Sequence, residues 1–350
     1  MDLGMMFSHT CNITCRHCGI MSSPRVKTKM DLDDAKRIIR EAAALRPRIG
    51  TIAFTGGEPL LFQDEHAELL SQCRSLGLRT RIVTNGFWAS TIDRGLRVLG
   101  RMRDAGLCEI NFSADKYHLE HMPARTLRNA LECARQLGLI RVVSFVINND
   151  HHPTDEFCSM YQVPPHDVRL YTEATVQALH DDPARTHELY DKIYLSAGHI
   201  IGLGRAAEYP EELCMRTVST YSAGTCAEVN HRPVVYPDGT LQACCCAGGK
   251  VAAFTVGSVH DQPLHELIEQ MDARTQYRFI NTFGPKAMYE AVARARPEIR
   301  RSLMYGSICE ICVRANDGVS AAEMDEILEQ AMLEKTLEFL STDDGARAPS

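Results

Sequence analysis

Three cysteines lie within eight residues near the start of the chain, in the stretch HTCNITCRHC at positions 9–18. Cys11, Cys15 and Cys18 are separated by three residues and then by two. Closely spaced thiolates bind soft metals, which means zinc or an iron–sulfur cluster. Structural zinc needs four protein ligands, and the ring of His17, directly beside Cys18, would struggle to converge on the same ion. A 4Fe-4S cluster on only three thiolates leaves one iron open for a substrate, so this spacing favours a catalytic cluster.

A second group of cysteines lies in the last third of the chain. Its members are Cys226, Cys244, Cys245, Cys246, Cys309 and Cys312. A closed set of four thiolates suits an electron-transfer cluster. A zinc ribbon is the alternative, because a CxxC pair with distant cysteines fits it as well.

The composition is that of a globular protein without a membrane span. Of the 350 residues, 45% are hydrophobic and 24% are charged, and the formal net charge is −7. This acidic balance argues against duplex nucleic acid as a partner. No apolar run approaches the roughly 18 residues of a membrane span, and the start lacks the features of a signal peptide. We therefore predict a cytoplasmic protein, in which the 14 cysteines are ligands, catalytic groups or core residues rather than disulfides.

Short apolar runs alternate with amphipathic helical stretches through the first part of the chain. Predicted strands lie at 3–8, 51–57, 79–86, 108–115 and 141–148, with one more at 199–207. Such alternation is typical of βαβ units and a parallel sheet, whose active groups gather at the carboxyl ends of the strands. Further along, 234–245 is predicted to form a β-hairpin and 320–340 an amphipathic helix.

The spacing CxxxCxxC resembles the signature of the radical S-adenosyl-L-methionine (SAM) superfamily. Four later stretches resemble strand ends of that family in the right order: GGEP (56–59), TNG (84–86), SAD (113–115) and GRA (204–206). The resemblance covers about residues 3–207 and implies a partial (β/α)6 TIM-like barrel. It also implies that Cys11, Cys15 and Cys18 hold a 4Fe-4S cluster whose open iron binds SAM. The reduced cluster then cleaves SAM to a 5′-deoxyadenosyl radical.

The same resemblance implies which residues bind SAM. Glycines at a strand end let backbone polar groups approach a ligand closely, and in the family the GGEP turn contacts the SAM amino group. The implied cofactor-binding residues are Gly56, Gly57, Glu58, Ser113, Asn148 and Arg205. Ser113 is expected at the methionine or ribose part of SAM, Asn148 at the ribose and Arg205 at the carboxylate. The family often has an aromatic residue where this chain has His17.

The spacing from Cys226 through Gly239 to Cys244 is similar to the opening CX(9–15)GX(4)C of the SPASM and Twitch domains. The stretch VGSVHDQPLHEL (256–267) resembles the segment that follows there, and a later CxxC ends at Cys312. Because no cysteine follows Cys312, the pattern resembles the shorter Twitch form. It implies a second, auxiliary 4Fe-4S cluster, with Cys226, Cys244, Cys309 and Cys312 as ligands.

Cys245 and Cys246 directly follow a predicted cluster ligand. Neighbours in a strand point to opposite faces, so Cys245 should face away from the cluster if Cys244 faces it. Three roles stay open for these two residues. One could be an alternate ligand, one could be catalytic by donating a hydrogen atom to a carbon radical, or both could be small packed residues.

These residues and the resemblance predict a radical SAM enzyme of oxidoreductase or epimerase type. It would abstract a hydrogen atom from a peptide or small natural product and lead to epimerisation or oxidation. A peptide cross-linking maturase is an alternative. A non-catalytic iron–sulfur or zinc protein is another, but it would not need GGEP or an open three-cysteine site. A reductant such as flavodoxin or ferredoxin is the expected protein partner.

The predicted fold class is α/β, a partial (β/α)6 TIM-like barrel with a C-terminal β-hairpin/α region of Twitch type. We expect residues 1–207 to form the radical SAM core and 208–340 the Twitch/SPASM-like domain, followed by a disordered tail at 341–350. The chain begins directly at the barrel, so we expect no N-terminal peptide-recognition domain.

Overall fold

Ten strands of the described residues form one sheet. The computed structural model describes residues 1–147, 152–172, 186–200, 202–208, 225–226, 228–245, 250–298 and 308–344. The strands are β1 (Asp2–Ser8), β2 (Thr51–Gly56), β3 (Arg79–Thr84), β4 (Glu109–Ala114), β5 (Ile140–Ile147), β6 (Val168–Leu170), β7 (Ile193–His199), β8 (Val234–Val235), β9 (Thr240–Gln242) and β10 (Thr255–Ser258). Their order across the sheet is β10-β9-β8-β1-β2-β3-β4-β5-β7-β6. Strands β1 to β7 all pair in parallel, which confirms the predicted α/β fold, and the sheet stays open between its two ends.

Helices follow the strands as the alternation predicts. They are α1 (Leu32–Ala44), α2 (Gln63–Ser75), α3 (Ile92–Ala105), α4 (Lys116–Leu119), α5 (Ala124–Gln136), α6 (Pro153–Tyr161), α7 (Thr186–Asp191), α8 (Leu264–Ala273), α9 (Thr275–Ala295), α10 (Ile308–Arg314) and α11 (Ala321–Asp344). Asp31 caps α1, because its side chain accepts hydrogen bonds from the backbone of Asp33 and Asp34. Ile38 and Ile39 lie on the buried face of α1, so the helix packs its apolar side inward.

The two faces of the sheet differ in polarity. In β2, Ile52 and Phe54 are fully buried in the main hydrophobic core, whereas Thr55 on the opposite face is partly exposed. In β4, Ile110 and Phe112 belong to that core while Ser113 is partly exposed on the other face. Because side chains alternate along a strand, the polar residues line the inner face of the sheet and can meet a ligand there.

The strand that pairs with β5 on the side away from β4 lies earlier in the chain than predicted. Residues 199–207 were expected to form it, but the strand paired with β5 is β7, Ile193–His199, and a short 3-10 helix follows at Gly204–Glu208. Gly204 has a φ of +58°, which a strand does not allow. The preceding run from Ile193 to Leu195 has the buried apolar side chains that a strand needs.

The predicted C-terminal hairpin is confirmed at β8 and β9. Tyr236 N donates to Thr240 O at 2.9 Å, and Gly239 takes a φ of +80° in the turn between the strands. Strand β8 also pairs in parallel with β1, through Gly4 opposite Val234. The hairpin therefore continues the same sheet at the β1 side, which places the cysteines that follow it beside the N-terminal part of the chain.

The C-terminal helices carry the last cysteine pair. Helix α9 is broken at Gly284, whose φ and ψ are 86° and 164°, and Pro285 follows the break. Helix α10 contains the CxxC pair. Helix α11 runs to Asp344, so it extends four residues into the segment 341–350 that was predicted to be disordered; residues 345–350 lie outside the described part. Among the described helices, none combines the length and apolar character that crossing a bilayer requires.

Candidate active site

The three N-terminal cysteines lie on the loop between β1 and α1. Cys11 and Cys15 are 7% and 6% exposed, and Cys18 is more exposed. Backbone hydrogen bonds from Cys11 N to Ser23 O and from Cys18 N to Cys15 O, both 3.2 Å, hold the loop. Burial raises the pKa of the Cys11 thiol to about 12, opposed by a backbone hydrogen bond from Ile13 and reinforced by the other two thiols. A Cys11 thiolate is therefore favoured only beside a cationic group, which fits the iron of a cluster.

A cavity of about 230 Å³ opens beside all three cysteines. Four of the predicted cofactor-binding residues line it as well, namely Gly56, Gly57, Ser113 and Arg205. Glu58 is not in the lining, and Asn148 lies outside the described residues. The fold thus gathers the cysteine loop, the ends of β2 and β4 and the 3-10 helix after β7 around one cavity.

The glycine turn after β2 packs directly on the cysteine loop. Gly57 N donates to Ser8 O at 2.7 Å, and Glu58 N donates to Thr10 O at 2.9 Å. A Cβ atom at Gly57 would fall well inside van der Waals contact with Thr10 O. Glycine is therefore required for this close approach, which joins the end of β2 to the loop that follows β1.

The Glu58 carboxylate is turned away from the cavity toward the end of β3. It is 1% exposed and accepts hydrogen bonds from Thr84 Oγ1 (2.7 Å), Asn85 N (2.8 Å) and Leu60 N (3.1 Å). Burial raises the pKa of Glu58 to about 7, opposed by these three hydrogen bonds. The side chain joins the second and third strand ends, and its contact with SAM stays a prediction.

Asn85 is a site residue that sequence reasoning missed. It lines the cavity, and its Nδ2 lies 2.8 Å from Asn12 Oδ1 and 3.8 Å from Cys11 Sγ. The TNG stretch predicts a strand end, but its residue types alone do not distinguish a ligand contact from a simple turn. Its place directly after a strand of a parallel sheet was the signal available, because strand ends on one edge share a site.

Arg205 braces the cysteine loop. Its Nε donates to Cys15 O at 2.8 Å and its Nη2 donates to Ser22 O at 2.7 Å, while its backbone N donates to Cys18 O at 3.2 Å. The guanidinium was expected to pair with the SAM carboxylate. It lines the cavity, but two of its donors already hold loop carbonyls.

Asp115 organises the residues at the end of β4. It is 1% exposed, lies 2.9 Å from His118 Nδ1 and 3.3 Å from His17 Nε2, and caps α4 through Tyr117 N and His118 N. Burial lowers the pKa of His17 to about 4. Burial also opposes a charged His118, but hydrogen bonds to Asp115 and Cys15 outweigh it and raise the pKa of His118 to about 10. Imidazole and carboxylate atoms of these three residues lie within 4.8 Å of one another, so the loop is also held from the β4 side.

The four predicted auxiliary ligands line a second, small cavity. Its cysteines are Cys226, Cys244, Cys309 and Cys312, and its other walls are mostly apolar, with Val229, Phe254 and Ile280 among them. Burial, and then the neighbouring cysteines, raise the pKa of the Cys312 thiol. Four sulfur donors without a basic residue in the lining fit a group that brings its own positive charge, such as a metal ion or an iron–sulfur cluster.

Cys245 faces away from that second cavity. Cys244 is in the lining and Cys245 is not. Cys245 is exposed, and its Sγ donates to Glu228 Oε2 at 3.6 Å. Cys246 lies outside the described residues.

Comparisons with known proteins find a family match in the N-terminal part of the chain. Residues 5–162 match the family model of the Radical SAM superfamily, and they form a domain of that superfamily. The solved structure of histidine-tagged anSMEcpe with bound AdoMet superposes with a TM-score of 0.51 at 13% identity, covering 97% of this chain and 98% of that one. That likeness concerns the fold.

Two curated relatives match parts of the chain. The "Putative peptide biosynthesis protein YydG" of Bacillus subtilis (strain 168) is 28% identical over 126 residues, which is 36% of this chain and 39% of the relative. The GTP 3',8-cyclase of Klebsiella pneumoniae subsp. pneumoniae is 27% identical over 209 residues, 53% of this chain and 59% of the relative. The matches thus span less than two thirds of either relative, and the two names describe different reactions.

Proposed function

We propose, on the premise that residues 5–162 form a radical SAM superfamily domain, that this protein is a radical SAM enzyme acting on a peptide. Cys11, Cys15 and Cys18 would hold a 4Fe-4S cluster. When bound, that cluster supplies the electron that cleaves SAM into methionine and a 5′-deoxyadenosyl radical. The observation that carries the proposal is the single cavity that the three cysteines line together with Gly56, Gly57, Asn85, Ser113 and Arg205.

The chain's own residues would shape the SAM site in distinct ways. Gly56 and Gly57 line the cavity and, without side chains, let the end of β2 pack directly on the backbone of the cysteine loop. Ser113 offers a hydroxyl from the β4 end. Arg205 keeps the cysteine loop in place and brings positive charge to a cavity that would receive the SAM carboxylate. Asn148 remains a predicted ribose contact.

A peptide is the substrate class that the proposal favours. It is supported by the name of the Bacillus subtilis relative, which matches 36% of this chain. The inner face of the sheet suits a polar substrate, because Ser113, Ser144 and Ser196 stand side by side in register on β4, β5 and β7. Small hydroxyl side chains leave room for a chain and can hydrogen-bond its amide groups.

The outcome of the reaction would depend on the C-terminal cysteines. Cys226, Cys244, Cys309 and Cys312 would hold an auxiliary 4Fe-4S cluster, which would accept an electron in an oxidation; their common cavity supports this assignment over scattered core cysteines. Cys245 would instead return a hydrogen atom in an epimerisation, because its thiol stands outside that cavity and is exposed. Cys246 keeps the same predicted role.

Turnover in deuterated water tests the function and separates the two outcomes. The probe is a panel of synthetic short peptides, supplied with SAM and dithionite. We expect 5′-deoxyadenosine together with a peptide carrying one deuterium at the reacting carbon, since a thiol exchanges with solvent. Cys245→Ala, which removes an exposed thiol, should abolish the deuterated product. The control Cys108→Ala removes a partly exposed thiol and should still give that product.

Two results would contradict parts of this proposal. Absence of 5′-deoxyadenosine from the wild-type reaction would rule out radical SAM chemistry. A product that has lost two hydrogens and forms equally well in both variants would exclude Cys245 as donor and leave oxidation.

A further inference from the structure

A surface hollow of about 530 Å³ shares Cys11 as a lining residue with the candidate SAM cavity. Its lining includes Cys11, Asn12, Lys27, Lys29, Leu61 and Phe62, and we call it the basic hollow. Cys11 lines both spaces, so this cysteine forms part of the wall between the proposed cluster site and the protein surface. Any group bound to Cys11 Sγ would lie close to the floor of the basic hollow.

The rim of the basic hollow is held rigidly against the cysteine loop. Residues 23–29 run beside residues 8–11, and Ser8 Oγ donates to Thr28 O at 2.8 Å. Thr10 Oγ1 donates to Val26 O at 2.7 Å. Hydrogen bonds from both sides of the loop therefore fix the rim relative to Cys11, so a partner bound at the rim would sit at a defined distance from that sulfur.

The rim is basic although the whole chain is acidic. Residues 3–30 contain no aspartate or glutamate, while the chain has a formal net charge of −7. Arg25 and Lys27 are exposed at the rim, and Lys29 is exposed as well but pairs with Glu65 at 3.1 Å. An acidic partner repelled by most of the molecule would be steered to this patch, because a local field of opposite sign raises the association rate.

An apolar contact accompanies the charge. Leu61 is 37% exposed at the edge of the hollow, and Phe62 is partly buried beside it. A small apolar spot surrounded by charge suits a short-lived complex, since electron-transfer encounters between proteins use interfaces at the small end of the size range.

We propose that the basic hollow docks an acidic one-electron carrier protein that reduces the cluster held by Cys11, Cys15 and Cys18. The inference rests on the proposed function and adds the surface at which the expected reductant docks. The carrier loses one electron and becomes its one-electron-oxidised form, and the cluster gains that electron, going from the 2+ to the 1+ state. The electron enters beside Cys11, where the wall between the cluster and the solvent is formed by the ligand itself.

Charge reversal at the rim tests the docking surface, with fully reduced flavodoxin as the probe. The test variant is Arg25→Glu with Lys27→Glu, and the matched control is Arg94→Glu with Arg97→Glu on exposed positions of α3. Two quantities are measured as a function of salt: the rate of cluster bleaching after mixing and the Kd of oxidised flavodoxin. Dithionite, a small reductant that needs no docking surface, reduces each protein in a parallel reaction.

We expect the test variant to lose about tenfold or more of the flavodoxin-driven rate at low salt, with a correspondingly weaker Kd. Its salt dependence should be flatter than that of the wild type. The test variant's rate of reduction by dithionite and its iron content should match those of the wild type within about twofold. The α3 control should match the wild type in every one of these measurements.

Other outcomes would overturn the inference. Equal loss in both double variants would mean a general charge effect, and an unchanged flavodoxin rate in the test variant would place electron entry elsewhere, for example at the C-terminal cysteines. If the test variant loses iron, the wild-type protein alone provides the test. A wild-type rate of cluster reduction by flavodoxin that does not fall as salt is added contradicts docking by charge. Failure of the proposed function looks different, because dithionite would then give no SAM cleavage in any variant.

Discussion

Glu58 illustrates how one buried side chain can organise a site without lining it. Its carboxylate accepts hydrogen bonds from Thr84 and Asn85 at the end of β3, and Asn85 in turn contacts Asn12 and Cys11. The chain of contacts runs from the second strand end to the third and back to the cysteine loop. Loss of the carboxylate would leave several buried donors unpaired, and each costs about 1–3 kcal/mol.

Glu58 should make the protein less stable as the pH rises toward neutrality. Its pKa is raised from 4.5 to about 7 by burial, so the folded state holds the proton more tightly than the unfolded state between these values. The stability it contributes is present at low pH and is lost as the pH rises through the folded pKa, on the order of 1–3 kcal/mol in all. Urea unfolding between about pH 5 and pH 8 measures the slope.

Glu58→Gln should remove that part of the slope, because an amide does not titrate. Glu329→Gln, at an exposed position of α11, is the control and should keep the wild-type slope. A wild-type stability that rises over this pH range relative to Glu58→Gln would mean that Glu58 is ionised throughout in the fold.

At the scale of elements, the site depends on contacts between the loops that leave neighbouring strands. The turn after β2 packs on the loop after β1 through Gly57 and Glu58, and the 3-10 helix after β7 braces the same loop through Arg205. Asp115 and His17 hold it from the β4 side. The cysteine loop is therefore positioned by three other segments, which is how a chain without regular structure can present three ligands in a fixed arrangement.

The glycine turn offers a clean test of this packing. Gly57→Ala should lower the free energy of unfolding by at least about 2 kcal/mol, because the new Cβ would overlap the rigid backbone at Thr10 O. Gly50→Ala should change it by no more than about 0.5 kcal/mol, since no atom lies within 4 Å of a Cβ there. Urea unfolding of both variants measures the difference, and similar values for the two would contradict the close approach.

At the scale of the whole molecule, one sheet connects the two groups of cysteines. Strand β1 leads into the N-terminal cysteine loop and also pairs with β8 of the hairpin that precedes Cys244. Cys244 thus follows a hairpin that belongs to the same sheet as β1, and the predicted division of the chain into two domains stays a prediction. The sheet therefore joins the segment that leads into the candidate SAM cavity to the segment that leads into the second cavity.

Iron and sulfide counts should reveal two independent sites. Replacing Cys11, Cys15 and Cys18 with alanine should remove about half of the iron and abolish SAM cleavage, because four cysteines remain around the second cavity. Cys309→Ala with Cys312→Ala should remove the other half. The control Cys73→Ala, at a fully buried position in α2, should keep all of the iron.

The same counts can contradict either assignment. Undiminished iron in the N-terminal triple variant would remove the assignment of Cys11, Cys15 and Cys18. A triple variant that retains zinc but neither iron nor sulfide would make the C-terminal set a zinc site.

The sequence by itself determined the local features. The cysteine spacing, the βα alternation and the hairpin at 234–245 are each decided by residues close together in the chain, and the structure agrees with the predicted strands and hairpin. The predicted strand at 199–207 is wrong, and the strand lies at 193–199. Apolar residues continue as far as the glycines, and a hydrophobicity pattern does not show that Gly204 takes a positive φ.

Only the tertiary structure decided which groups meet. The GGEP glutamate turns to Thr84 and Asn85, Arg205 binds the carbonyl of Cys15 from 190 residues away, and Cys226 shares a cavity with Cys312. A spacing pattern states what a residue can do, but the direction of a side chain depends on neighbours supplied by distant segments. The ligand roles of the cysteines and of Arg205 remain predictions. Packing brings these side chains around a cavity, but which group binds there depends on the chemistry of the side chains and of that group.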